Sequence, residues 1–170
     1  STQLPQHSVL HLGILNSLRC WNLVEVNENI ACYANTGGFG IDGCVSTLIG
    51  ASLANRKKLY FGVVGDWAFF YVLYVLGNRH VGTNVRLLVV NNGRGTEFRN
   101  YWHPAERFGD DADVYMAAAG HYGAKSPVLL RHYATDLGFH YLSASNKEEF
   151  NTAMKEFVSP TIGAKPILFE

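Results

Sequence analysis

Charge is what this chain has least of. Lys, Arg, Asp and Glu make up 16% of its 170 residues and sum to a formal net charge of zero, where roughly a quarter charged is usual. With no strongly basic run, nucleic-acid binding is excluded as the main role. So little charge implies that part of the surface is covered by a partner or by further parts of the same polypeptide. No apolar run reaches about 18 residues, so no membrane span is expected. No signal-peptide pattern is visible, and the expected location is cytoplasmic. The three cysteines, Cys20, Cys32 and Cys44, form no C-x-x-C pair and read as buried thiols rather than a zinc site. There is no internal repeat, no low-complexity tract and no clean G-x-G-x-x-G.

What remains is strongly apolar. Hydrophobic residues make up 48% of the chain, enough for one domain with a proper core. Strands are expected at His7 to Gly13, Asn29 to Ala34, Lys58 to Gly65, Asn84 to Val90, Phe139 to Leu142 and Pro166 to Phe169. Helices are expected at Ile14 to Trp21, Cys44 to Asn55, Trp67 to Asn78, Asp110 to His121 and Ser126 to Leu137. A further amphipathic helix is expected after a capping box from Ser145 to Glu148. Runs such as YFGVVG and RLLVV are apolar on both faces, as in parallel strands covered on both sides. The expected fold is therefore α/β, a doubly wound, mainly parallel sheet of five to six strands with helices on both faces. The ends, a loop-like start at Ser1 and KPILFE stopping like a strand in mid-flow, suggest a single domain, 1–170, taken from a longer multidomain enzyme.

In such sheets ligands bind beyond the carboxyl ends of the strands. Three polar features fall there. The loop from Asn35 to Gly43, containing Gly38, Phe39, Gly40, Ile41, Asp42 and Gly43, offers backbone N–H groups and a following helix N-terminus to a phosphate or diphosphate. Gly65 and Asp66 follow the third strand, and Asn91 and Asn92 the fourth. A carboxylate and an amide oxygen are hard ligands that suit Mg²⁺ or Ca²⁺. Each feature alone has a plainer reading: a turn, a helix N-cap for Asp66, an Asn-Asn-Gly turn. Together they point to a Mg-diphosphate ligand.

The pattern Gly-Asp-Gly, some two dozen residues, then Asn-Asn resembles that of the thiamine diphosphate (ThDP)-dependent enzymes. Here it reads Gly65-Asp66-Trp67 and Asn91-Asn92. The resemblance covers essentially the whole chain and implies the C-terminal pyrophosphate-binding (PP) domain, with Mg²⁺ held by Asp66, Asn92 and the backbone carbonyl of Arg94. Gly95 and Phe98 would join the cofactor site. The chain is most similar to the menaquinone-pathway synthase branch. Asn16-Ser17-Leu18 resembles that branch's Asn-Ser-Leu, and Phe39-Gly40-Ile41-Asp42-Gly43 its Ser-Gly-Ile-Asp-Gly. That branch also avoids glycine after the metal Asp, where Trp67 stands. It has arginines at the positions of Trp21 and Thr36, an Ile-Phe pair at Glu97-Phe98, and Asp-Leu-Asn at Val72-Leu73-Tyr74. The lost arginines argue against the same dicarboxylate substrates.

The resemblance further implies a decarboxylase or carboligase acting on a small 2-oxo acid, in a homodimer or higher oligomer. A pyrimidine-binding domain of the same or a partner chain would supply the catalytic glutamate, so no catalytic residue is assigned here and the piece alone would be inert. Arg94, Glu97 and Arg99 are the candidates for substrate contact. His80, His103, His121, His132 and His140 read as surface or core histidines, and Asp110, Asp111 and Asp113 as a solvated helix start. Two other readings stay open: a degenerate PP domain kept for assembly or regulation, and an unrelated nucleotide-binding α/β domain.

Overall fold

Strands without polar alternation need cover on both sides, and the computed structural model of the chain supplies it. The structure describes residues 3–100, 102–116 and 124–170. Six strands, β1 (Val9–Leu12), β2 (Ala31–Ala34), β3 (Tyr60–Gly65), β4 (Val85–Val90), β5 (His140–Leu142) and β6 (Ile167–Phe169), form one sheet. Its order is β2-β1-β3-β4-β6-β5, and every pairing is parallel. The helices are α1 (Asn16–Trp21), α2 (Cys44–Ser52), α3 (Asp66–Tyr71), α4 (Asp113–Met116), α5 (Leu129–Asp136) and α6 (Lys147–Phe157).

The period of two in β4 separates two cores. Val85, Leu87 and Val89 join Val45, Leu48, Phe69, Leu130 and Ala134, so α2, α3 and α5 cover one face. Leu88 packs with Phe61, Phe157 and Phe169 on the other, where Leu18 and Trp21 of α1 and Phe157 of α6 close the layer. This is the expected doubly wound fold. The chain runs from β1 outward to β2, then returns to place β3 and β4 on β1's other side. The crevice opened by that reversal lies at the carboxyl ends of β1 and β3.

Several elements differ from the sequence reading. The helix expected over Trp67 to Asn78 breaks at Val72 (φ −121°, ψ 34°), and Leu73–Gly77 continue as a 3₁₀ turn. Val72 lies in a run of aromatic and β-branched residues with modest helix propensity, and the Leu73 carbonyl accepts the Tyr133 hydroxyl at 2.5 Å. The helix expected from Asp110 is a 3₁₀ stretch, Glu106–Ala112, kinked at Gly109, followed by the short α4. The remainder of that expected helix, with His121, lies outside the described residues. Cys44 is buried, but Cys20 and Cys32 are exposed, because β2 is a sheet edge and α1 is short.

The cap of α6 is displaced by one residue. Asn146, in extended conformation, accepts the Glu149 N–H through Oδ1 at 3.0 Å, and the Glu149 carboxylate accepts the Ser145 N–H at 2.7 Å. The expected box from Ser145 to Glu148 is therefore Asn146 with Glu149. Asn146→Ala is expected to lower stability by about 1 kcal/mol in urea denaturation, while Glu148→Ala leaves it unchanged.

Candidate functional site

Asp66 opens α3, where Gly65 is the N-cap, so the carboxylate is not the cap residue that a plain turn would make of it. It is 3% exposed. Its Oδ1 accepts the Trp67 N–H at 2.8 Å and its Oδ2 accepts the Gly93 N–H at 2.6 Å. The second bond ties the end of β3 to the loop after β4. Burial pushes the Asp66 carboxyl above the usual carboxylate range, against the pull of the Trp67, Gly93 and Arg94 N–H groups and of the Lys125 charge. Among the described residues no cationic side chain forms an ion pair with it. A buried carboxylate without a paired cation is costly.

The loop that meets Asp66 holds the other sequence candidates. Asn92 is exposed, and its Oδ1 accepts the Arg94 N–H at 3.0 Å. Asn91 donates to the Glu170 carboxylate at 2.6 Å. Between Asn92 and Arg94, Gly93 sits at φ +73°, where a Cβ would also meet the Lys125 side chain at 2.8 Å. Glycine is therefore what allows the loop to turn under Asp66. Among the described residues no three His, Cys, Asp or Glu side chains cluster as metal ligands. A cation here would draw on Asp66 together with amide and carbonyl oxygens, a donor set suited to Mg²⁺.

A pocket of about 220 Å³ opens beside Asp66 in the crevice between β1 and β3. Asn16 and Ser17 line it from α1, Gly65, Asp66 and Trp67 from β3 and α3, and Arg94, Gly95, Glu97 and Phe98 from the loop after β4; Ile41 reaches it from the glycine loop. Gly38, Phe39, Gly40, Asp42, Gly43 and Asn92 do not line it. Phe39 is 64% exposed, with φ 49°. Leu15, at φ 61°, also lines the pocket. A bulky residue in that region is strained, as is common near ligand sites. No sequence signal marked it.

Trp67 explains the missing glycine of the motif. Its ring packs edge-on against Phe98, with centroids 5.1 Å apart, and its indole N–H donates to the Met116 carbonyl at 2.8 Å. Phe98 in turn meets His103 at 4.9 Å. A Cβ at Gly95 would lie 2.5 Å from the Phe98 ring, so glycine lets that ring close over the loop. Trp67 thus fixes the wall opposite α1.

The charged candidates are paired. Arg94 meets Asp113 at 3.2 Å, and Arg99 meets Asp110 and Asp113, each at 2.8 Å. Two of the three acids read as a solvated helix start, Asp110 and Asp113, therefore anchor these two arginines. Glu97 receives Arg19 at 2.6 and 3.3 Å and the Asn100 amide at 2.9 Å. Arg19 also donates to Asn16 Oδ1 at 3.0 Å. Sequence reasoning passed over Arg19, since its partner is 78 positions away and no spacing rule joins them.

A curated relative from Bacteroides fragilis, 2-succinyl-5-enolpyruvyl-6-hydroxy-3-cyclohexene-1-carboxylate synthase, is 32% identical over 167 residues, covering 98% of this chain and 28% of its own length. The synthase of the same name from Christiangramia forsetii is 33% identical over 169 residues, covering 99% and 27%. The chain belongs to the thiamine diphosphate-dependent enzyme family. It spans under a third of the length of these relatives. No family model matches it. Two solved structures share its fold over 99% of this chain and 30% of theirs. Benzoylformate decarboxylase from Polynucleobacter necessarius has a TM-score of 0.72 at 16% identity. The thiamine diphosphate-dependent 4-hydroxybenzoylformate decarboxylase of Rhodococcus jostii has a TM-score of 0.64 at 19% identity. Among the described residues, no helix is long and apolar enough to cross a membrane.

Proposed function

We propose that the chain is the pyrophosphate-binding domain of a larger ThDP-dependent decarboxylase or carboligase of 2-oxo acids. In this reading it holds the cofactor diphosphate through Mg²⁺ bound by Asp66, Asn92 and the Arg94 carbonyl. The observation that carries this reading is Asp66: a buried carboxylate without a paired cation, bonded to the loop that bears the other two ligands. Asn92 Oδ1 uses one lone pair on Arg94 N–H and keeps the other for a cation. When bound, the cofactor supplies an electron sink for 2-oxo acid chemistry. The chain's own residues do the rest. Gly93 turns the ligand loop, Trp67 and Phe98 close one wall of the pocket, and Ile41 brings the glycine loop to its rim. The partner, a pyrimidine-binding domain, and an oligomeric assembly belong to this proposal. Calorimetric titration of the chain with pyrophosphate and with ThDP, each with Mg²⁺, should give saturable binding that chelation removes. No Mg²⁺-dependent binding of either probe would overturn the reading.

The substrate side of the site follows from Arg19 and Glu97. A second hollow of about 500 Å³ shares Asn16 and Glu97 with the pocket and adds Arg19, Asn100, Trp102 and His103. Its one arginine already faces a carboxylate, which suits a monocarboxylic 2-oxo acid better than a dicarboxylic one. In the assembled enzyme, Glu97→Gln is expected to raise kcat/KM for dicarboxylic over monocarboxylic 2-oxo acids by about tenfold, the worth of one freed charged hydrogen-bond donor. An unchanged ratio would remove Arg19 from substrate recognition.

One observation favours a second reading, a PP domain kept for assembly. The helix after Asp66 breaks at Val72, and Tyr74 is 91% exposed, where the related branch carries Asp and Asn. Absence of pyrophosphate and ThDP binding together with retained assembly would support it.

A further inference from the structure

At the opposite end of the sheet, a buried guanidinium is only partly bonded. Arg86 is the second residue of β4 and is 2% exposed. Its Nη2 donates to the Thr161 carbonyl at 2.7 Å, but its Nε is buried with no partner. The register places Arg86 beside Ile167 of β6, and Ile167 beside His140 of β5. These three side chains therefore form one row across adjacent strands. Above the row lies an open hollow of about 400 Å³, lined by Arg86, His140, Glu156, Ser159, Gly163 and Lys165, among others.

The hollow opens to solvent, with Glu156, Gly163, Ala164 and Lys165 exposed on its rim. An arginine left with an unmade hydrogen bond in a buried place is expensive. The Thr161 carbonyl accounts for one side of the guanidinium; the Nε–H side has no counterpart among the described residues. Glu156 is the acid in the cavity, and its carboxylate lies 2.9 Å from His140 Nε2. Burial disfavours the Arg86 charge, and Glu156 opposes this only in part. The remaining groups are donors. Lys165 contributes an ammonium, Ser159 a hydroxyl that already accepts the Thr161 N–H at 3.4 Å, and the backbone N–H groups of Gly163, Ala164 and Lys165 donate no hydrogen bond among the described residues.

We infer that the hollow over Arg86 binds a small oxyanion, a phosphate group or a carboxylate, through the Arg86 guanidinium, Lys165, Ser159 and the amides of Gly163 to Lys165. The site lies about 20 Å from the cofactor edge, the length of β4 at ~3.3 Å per residue. It stands independently of the cofactor reading, since it shares no residue with that pocket.

The test is a titration of the chain with inorganic phosphate and, separately, with acetate, followed by nitrogen–proton NMR. Saturable shifts are expected at the Gly163 and Ala164 amides and at the Arg86 Nε–H. Stronger response to phosphate assigns a phosphate group, and stronger response to acetate a carboxylate. Lys165→Met is expected to weaken binding about tenfold. Arg86→Met should abolish the response with the fold retained, because an apolar isostere replaces a poorly paired buried charge. Asp66→Asn should leave the response intact, separating it from any anion bound at the cofactor edge. Silence of these resonances to both anions, or shifts that persist unchanged in Arg86→Met, overturns the site.

Discussion

Asp66→Ala is expected to lower affinity for Mg²⁺-pyrophosphate and Mg²⁺-ThDP by more than about a hundredfold, because even a residue one step removed from a metal governs 10- to 100-fold of its affinity. Calorimetry against the parent chain checks this, and a residual affinity within tenfold would remove Asp66 from the metal site. Asp66→Asn separates charge from fold. It keeps one acceptor, sets an amide NH2 against the other backbone N–H and removes the negative charge, so it should lose metal at a stability cost of about 1–3 kcal/mol.

The two forms should also differ in acid. The unfolded chain releases the Asp66 proton near the ordinary carboxylate value, and the folded chain only at higher pH, since burial raises it. Between those values folding takes up a proton, so this group's contribution makes stability fall as pH rises through the window and level off above it. Thermal unfolding of the parent across that window should show the fall relative to Asp66→Asn. Mg²⁺ favours the ionised carboxylate, so adding it should reverse the difference.

Trp67→Gly, which would restore the family's commonest motif, is expected to destabilise the chain by about 3 kcal/mol in urea denaturation. The loss combines the ring packed on Phe98 and the bond to Met116 with glycine's poor helix propensity in α3. Trp67→Phe keeps a ring against Phe98 and should lose only about 1 kcal/mol, the worth of the indole hydrogen bond. Equal losses in the two variants would show that the ring packing contributes little. The motif position is thus read differently in this chain: the side chain after Asp66 packs on the loop that follows β4.

The parallel sheet was legible because β3 and β4 are apolar on both faces, a pattern with few other solutions. Asp66 and the Asn-Asn pair were legible because adjacent parallel strands end at one edge. The Val72 break was not, since propensity differences there are small beside the tertiary bond from Tyr133 to Leu73. Nor was the cap at Asn146, because Ser145 and Asn146 are both good cap residues with a Glu three positions on, and only backbone conformation chooses between them. The pairing of Arg19 with Glu97 depends on the loop after β4 folding back over α1, which no local pattern encodes.

The strand order also dictates when the sheet can close. β6 inserts between β4 and β5, and among the described residues β5 pairs with no other strand. A growing chain therefore carries β5 without a ladder partner until Ile167 to Phe169 have emerged, more than two dozen residues later. Half of that edge is assembled by the segment made after it, so its completion is a late, non-local event. Until then the backbone edge of β4 from Arg86 to Leu88 lacks its ladder partner, and chaperones that shield unpaired strands would find their target there.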